Sequence, residues 1–205
     1  LDQSGVDVRV ATHSRKNENQ RPFSKVSRMK WPNRWNLRRI WYRGLAKVRG
    51  ENPQVANWPI WRNQLETIAR RVEADLIHAH FGPQGVKAAP VARRLGIPLV
   101  VTFYGYDISQ LPRADFWKEK YEEIWSTAGS IHVLSEEMKE RVTDLGAEMQ
   151  NIRVVHLTRD LDRYEYCPPA RPVRRLLSVG RLVEKKGHAD AIRAVKQAVD
   201  RGVDI

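Results

Sequence analysis

Valine occupies every second position in Gly5-Val-Asp-Val-Arg-Val-Ala-Thr12, the alternation of a half-buried strand, and Leu1 to Gly5 reads as the frayed end of a preceding helix. The apolar spacing then changes. Between Asn33 and Arg49, Leu37, Ile40, Trp41, Leu45 and Val48 recur at helical intervals, while Arg34, Arg38, Arg39, Arg43 and Lys47 mostly take the other faces. Trp61 to Val72 predicts a second helix, and Asp75-Leu-Ile-His-Ala-His80 a strand. A helix follows from about Pro83, kinks at Pro90 and closes at Gly96.

Ile97-Pro-Leu-Val-Val-Thr-Phe103 is a nearly continuous apolar run, the pattern of a strand covered on both faces in a parallel sheet. A helix is expected around Phe116, Trp117, Tyr121, Ile124 and Trp125, then a strand at Ser130-Ile-His-Val-Leu134. Ser135 with Glu136 and Glu137 reads as a helix start, Gly146 as its stop, and Asn151 to His156 as another strand. Strands alternating with helices at this spacing argue for a doubly wound, mostly parallel α/β sheet.

Three prolines in Cys167-Pro-Pro-Ala-Arg-Pro172 mark a linker, placed at residues 167–173, between a first domain at 1–166 and a second at 174–205. Arg174 to Val179 reads as a strand, His188 to Asp200 as a helix, and Val203-Asp204-Ile205 as the beginning of another strand. A single βα unit cannot bury its own apolar faces, so the second domain is expected to be present only as its first piece.

Composition narrows the function classes. With 205 residues and one cysteine, Cys167, the chain can build a core but no internal disulfide, which suits a reducing compartment. The start carries no basic-then-apolar signal, and no window reaches the roughly 18 apolar residues of a membrane span. The net charge of +12 is concentrated: Arg15 to Arg49 holds twelve Lys or Arg against one Glu, Glu18.

That segment is a basic amphipathic helix with nearby tryptophans. Trp31, Trp35, Arg38, Arg39, Trp41 and Arg43 would suit an anionic membrane surface, placing the protein at the inner face of the cell membrane. The same stripe could instead pack on the sheet with its cations solvated. Basic charge with aromatics also suits single-stranded nucleic acid, but no recognition motif supports that, and no nucleic-acid partner is expected.

Candidate chemistry gathers at strand ends. In Leu176-Leu-Ser-Val-Gly-Arg-Leu-Val-Glu-Lys-Lys-Gly-His188, a glycine turn opens a helix, where free amides and the helix dipole favour anions. Gly180 allows close approach, Arg181 offers a planar fork and Lys186 a point charge, a set that suits a diphosphate; a merely solvated turn reads equally well on chemistry alone. His78 and His80 share one strand face but lack a third ligand for zinc, so no metal is expected. Tyr104 and Asp107, at the carboxyl end of a buried strand, offer a phenol and a carboxylate to ligand hydroxyls, or Asp107 simply starts a local cap, whereas Ser135 and Glu136 are sufficiently explained by helix capping.

Val179-Gly-Arg-Leu-Val-Glu-Lys-Lys-Gly187, Asp75-Leu-Ile-His-Ala-His-Phe-Gly82 and Val101-Thr-Phe-Tyr-Gly-Tyr-Asp107, in that spacing, resemble the retaining glycosyltransferases of family four, especially bacterial enzymes of exopolysaccharide and lipopolysaccharide assembly. The resemblance implies a GT-B fold: two Rossmann-like domains, the first facing a glycan or lipid-linked acceptor, the second holding a nucleotide-sugar. It implies that Gly180, Arg181 and Lys186 grip the donor diphosphate without a metal or other cofactor, and that His80 and Gly82 line the cleft; Gly105, Ser135 and Glu136, at strand ends, are further candidates for the same cleft. Many relatives carry His-Gly after Thr-Phe where this chain has Tyr104-Gly105, so Tyr104 and Asp107 stand as the catalytic candidates. His156 resembles a histidine that precedes a Gly-Val-Asp turn in the family, though here the turn is Thr158-Arg159-Asp160.

The same resemblance implies a first strand upstream of Leu1 and paired glutamates downstream of Ile205. These 205 residues alone are therefore expected to have low stability and no transferase activity, which leaves a non-catalytic glycan- or membrane-binding module as the other reading.

Overall fold

The computed structural model describes residues 5–16, 18–19, 22–30, 35–50, 55–158, 161–166, 168 and 176–203. The chain divides into two units, Leu1–Leu157 and Thr158–Ile205. Trp31, the ends of the strand expected at Arg174–Val179 and Val203–Ile205, and all of the expected linker except Pro168 lie outside the described residues.

The first unit is built on a four-stranded parallel sheet of β3 (Ile77–His80), β4 (Leu99–Thr102), β5 (Ser130–Val133) and β6 (Ile152–Val154), in that order. Helices α3 (Gly82–Leu95), α5 (Asp115–Trp125) and α6 (Glu136–Asp144) make the crossovers, as parallel neighbours require. The four-residue helix α4 (Tyr106–Ser109) turns the chain after β4. This is the expected Rossmann-like α/β layer.

Period-two alternation decides what each strand face meets. Ile77 and Ala79, then Leu99, Val101 and Phe103, then Ile131 and Val133, point into a core completed by Val86, Ala89 and Val91 of α3 and Tyr121 and Ile124 of α5. The opposite face carries His78 and His80, Thr102, and His132. Ser135 caps α6, its hydroxyl accepting from the Met138 N–H at 3.2 Å.

Two short strands, β1 (Val10–Thr12) and β2 (Val26–Arg28), pair in parallel as a separate sheet. The alternation predicts the first over Gly5–Thr12 and shows no sign of the second, because β2 has Val26 as its one apolar residue, amid Lys25, Arg28 and Lys30.

Helix α2 (Trp58–Arg71) begins three residues earlier than its periodicity indicates, because Pro59 fits the first turn of a helix. Its Arg62 resolves the problem posed by Pro90 in α3. Pro90 has no N–H to offer the Val86 carbonyl four residues back. Arg62 Nη2 donates to that oxygen at 3.2 Å and Nε to the Lys87 carbonyl at 3.3 Å, and the guanidinium also pairs with Glu123 of α5 at 3.1 Å. One side chain thus supports the proline break and joins three helices.

Helix α1 (Leu37–Val48) starts at Asn36, whose side chain accepts from the Arg39 N–H at 3.2 Å, and it packs against α2. Ala46 is its buried residue and Arg39, seven positions earlier, shares that inner side and is half-buried. Leu37, Trp41 and Val48 are 82 %, 61 % and 85 % exposed. Most of the apolar stripe therefore faces solvent, with Leu45 half-buried, and the helix contacts α2, not the sheet as the alternative reading has it.

In the second unit, α7 (His188–Asp200) is present as expected. Leu176–Val179 forms no ladder among the described residues, in place of the strand read from its apolar pattern.

Candidate functional site

The carboxyl ends of β3 and β4 bring His80 and Tyr104 together. Their Nδ1 and Oη atoms lie 2.5 Å apart, with the rings stacked at 5.8 Å between centroids. Partial burial lowers the basicity of His80. It also raises the Tyr104 phenol above its ordinary value, helped by the nearby charge of Asp107. At neutral pH both groups are uncharged, and one proton lies between the two atoms.

Behind this pair, His78 stacks on His80 with ring centroids 4.5 Å apart and meets His132 edge-on at 5.8 Å. Its Nε2 bonds the buried Thr102 hydroxyl at 2.7 Å. Burial, then the neighbouring His80 and His132, push the His78 pKa down to about 4. Imidazole lone pairs lie in the ring planes, so His78 and His80, stacked at 25°, do not converge on one ion. Among the described residues no three His, Cys, Asp or Glu side chains form a metal-binding group.

Asp107 does not face the cleft. It is 1 % exposed, with Oδ2 accepting from the Gly82 N–H at 3.0 Å and Oδ1 from the Tyr104 N–H at 3.0 Å. Both oxygens are engaged by backbone amides, so the expected contact with sugar hydroxyls gives way to a positioning role: Asp107 ties the turn after β3 to the turn after β4. It supplies the negative charge at the start of α3, where Pro83 has no N–H and the Gln84 and Gly85 amides donate to the Phe81 carbonyl.

Gly82 is likewise a packing residue rather than a lining one. A Cβ there would lie 2.4 Å from Tyr121 Oη and 2.7 Å from Phe103 Cε1. Tyr121 spans the same junction, its buried hydroxyl donating to the Asp107 carbonyl at 2.5 Å. Gly105 holds φ +110°, and the space a side chain would enter is open. Here the constraint is conformational.

Phe81 is the unexpected member of the turn. It is not glycine, yet it holds φ 72° and ψ 142°, a conformation close to glycine's own region and costing other residues about 1–3 kcal/mol. Its N–H donates to Thr102 O at 2.8 Å, which fixes the turn in register with β4.

The remaining expected residues divide. The Ser135 hydroxyl serves the α6 cap, and Glu136 is exposed and pairs with Lys139 at 3.7 Å, so neither contributes to the His80–Tyr104 pair. His156 Nδ1 bonds the Leu134 carbonyl at 3.0 Å. His132, Thr102 and Phe81 complete the site but were not singled out by sequence. Alternation in Ser130-Ile-His-Val133 places His132 on one strand face, but only the pairing of β4 with β5 brings it to His78.

In the second unit, Gly180 and Arg181 lie on an exposed loop, and Lys186 ends a 3-10 turn, Glu184–Lys186, ahead of α7. His188 braces that loop: Nδ1 bonds the Ser178 hydroxyl at 2.9 Å and Nε2 the Arg181 carbonyl at 3.2 Å. A Cβ on Gly180 would meet His188 Nε2 at 3.2 Å. Among the described residues no carboxylate pairs with Arg181 or Lys186, and Gly187 turns the chain into α7 with φ 65°.

A family model for Glycosyltransferase Family 4 matches residues 1–163. The chain belongs to glycosyltransferase family 4. Within this family, it is 32 % identical over 142 residues to WcaL of Escherichia coli strain K12, a glycosyltransferase assigned to colanic acid biosynthesis. That match covers 66 % of this chain and 34 % of the relative. WcaL of Salmonella typhimurium strain LT2 is 32 % identical over 136 residues, covering 63 % and 33 %. The family 4 chain thus spans about a third of the length of the curated relatives it matches. Among solved structures, a UDP-N-acetylglucosamine 2-epimerase from Rickettsia bellii superposes with TM-score 0.43 at 11 % identity, over 70 % of this chain and 43 % of that one.

Proposed function

We propose that this family 4 chain carries the acceptor side and the first donor-binding loop of a retaining glycosyltransferase of cell-surface polysaccharide assembly, and that transfer needs more protein than these 205 residues. The observation that carries the site assignment is the neutral His80–Tyr104 pair at the carboxyl ends of β3 and β4, where open parallel sheets bind ligands. In this reading the acceptor oxygen bonds the anomeric carbon as the bond to the diphosphate breaks, and the acceptor proton leaves with the departing nucleotide diphosphate. His80 and Tyr104 hold the acceptor hydroxyl. Arg181 and Lys186, braced by His188 in their own unit, oppose the charge growing on the diphosphate.

The acceptor is a glycan or its lipid-linked precursor, and the similarity to WcaL favours an exopolysaccharide. The outward apolar stripe of α1 supports contact with an anionic membrane surface. Leu37 and Trp41 enter the interface, while Arg38 and Arg43 meet lipid phosphates. Among the described residues no helix is long and apolar enough to cross a membrane.

The test is sugar transfer by the enzyme containing this chain, using radiolabelled UDP-, GDP- and dTDP-sugars with lipid-linked saccharide acceptors. Label is expected in the acceptor only when both substrates are present. Saccharide binding with no transfer from any donor would favour the non-catalytic module instead.

A further inference from the structure

Phe81 holds a conformation that glycine adopts freely and that strains any other residue, with φ 72° and ψ 142°. The backbone has reasons for this geometry: the Phe81 N–H donates to Thr102 O at 2.8 Å, and its carbonyl accepts from Gln84 and Gly85 at 3.0 and 3.1 Å. Glycine would meet all three without strain. The benzyl side chain is also not required by the core, since Phe81 is 49 % exposed and stands outside the hydrophobic cluster. Its ring packs beside Tyr104, with centroids 4.6 Å apart and planes tilted by 43°. A strained, exposed aromatic therefore sits against the phenol that bonds His80.

We infer that Phe81 is a stacking platform for a pyranose ring of the acceptor, whose hydroxyls are held by the adjoining His80 and Tyr104. A pyranose presents a face of C–H bonds and a rim of hydroxyls. The Phe81 ring matches the face, and the imidazole–phenol pair matches the rim with one proton between its atoms. Tyr106, two residues beyond Tyr104 and 60 % exposed, adds a second aromatic near the same turn. This inference rests on the reading of the first unit as an acceptor-binding part of a glycosyltransferase.

The test is saturation-transfer difference NMR on the purified enzyme containing this chain, using methyl glycosides of glucose, galactose, mannose and glucuronic acid as probes. The parent is expected to saturate the C–H protons of at least one of these glycosides. Phe81→Gly is expected to cut that signal at least fivefold while raising the thermal midpoint, because glycine relieves the strain. Phe81→Tyr is expected to keep it. Equal saturation of parent and Phe81→Gly overturns the stacking role alone. Absence of saturation by every glycoside in the parent overturns the acceptor reading and the stacking role together.

Discussion

Asp107 accepts the Gly82 N–H at 3.0 Å across the junction between β3 and β4, and its other oxygen accepts the Tyr104 N–H at the same distance. A single buried carboxylate thus holds the two turns that present His80 and Tyr104. Asp107→Asn has one acceptor oxygen for two amides and turns an N–H₂ group toward the other. We expect a loss of about 1–3 kcal/mol in urea denaturation, with the amide resonances of Gly82 and Tyr104 both displaced.

Gly82→Ala tests the same junction from the packing side. The added methyl would stand 2.4 Å from Tyr121 Oη and 2.7 Å from Phe103 Cε1, where two ring systems leave no room. Overpacking of this kind costs about 1–3 kcal/mol. Tyr121→Phe removes the nearer atom, so the double variant is expected to lose less than the two single losses added together.

The histidine cluster makes stability depend on pH with a defined sign. In the unfolded chain His78 takes up a proton near 6.5, but in the folded chain only near 4. Between those values the unfolded state binds more protons, so acid favours unfolding. Burial lowers His80 and His132 in the same direction. Stability is expected to fall as pH drops from about 6.5 toward 4, with a shallower fall in His78→Gln, as followed by denaturation midpoints at each pH.

Arg62 and Pro90 are coupled through the Val86 carbonyl. Arg62→Ala leaves that oxygen without its donor and Glu123 with only Lys120, at 3.7 Å, and is expected to cost about 2 kcal/mol. Pro90→Ala restores an N–H four residues on, so it should recover about 1 kcal/mol in the Arg62→Ala background and much less in the parent. A double-mutant cycle by chemical denaturation measures the difference.

For α1, the stripe of Leu37, Trp41 and Val48 faces outward with Arg38 and Arg43 beside it. Cosedimentation is expected with vesicles containing phosphatidylglycerol, to weaken with salt, and to be far lower with phosphatidylcholine alone. A Leu37→Ser, Trp41→Ser double variant should lose several-fold of the bound fraction at every salt concentration.

The alternation of elements from Asp75 to His156 was legible because the strands there are apolar runs between clear helix signals, such as Ser135 before Glu136 and Gly96 after Leu95. What depended on long-range pairing was not. β2 is three residues in a cationic stretch, and His132 joins His78 only through neighbouring strands. Asp107 in a Tyr-Gly-Tyr-Asp turn suggested contact with ligand; its burial follows from the amides of Gly82 and Tyr104, which no local pattern displays. Periodicity revealed the stripe on α1 but not which side of the helix would meet α2, and Leu176–Val179 shows that apolar residues alone do not make a strand without a partner.

The most direct test of the account is the rate of sugar transfer by the enzyme containing this chain when its His80–Tyr104 pair is broken. Tyr104→Phe and His80→Ala are expected to lower kcat/KM at least tenfold, with thermal midpoints close to the parent because both groups lie at the surface end of their strands. Transfer at the parent rate by both variants would contradict the assignment of this pair as the acceptor site.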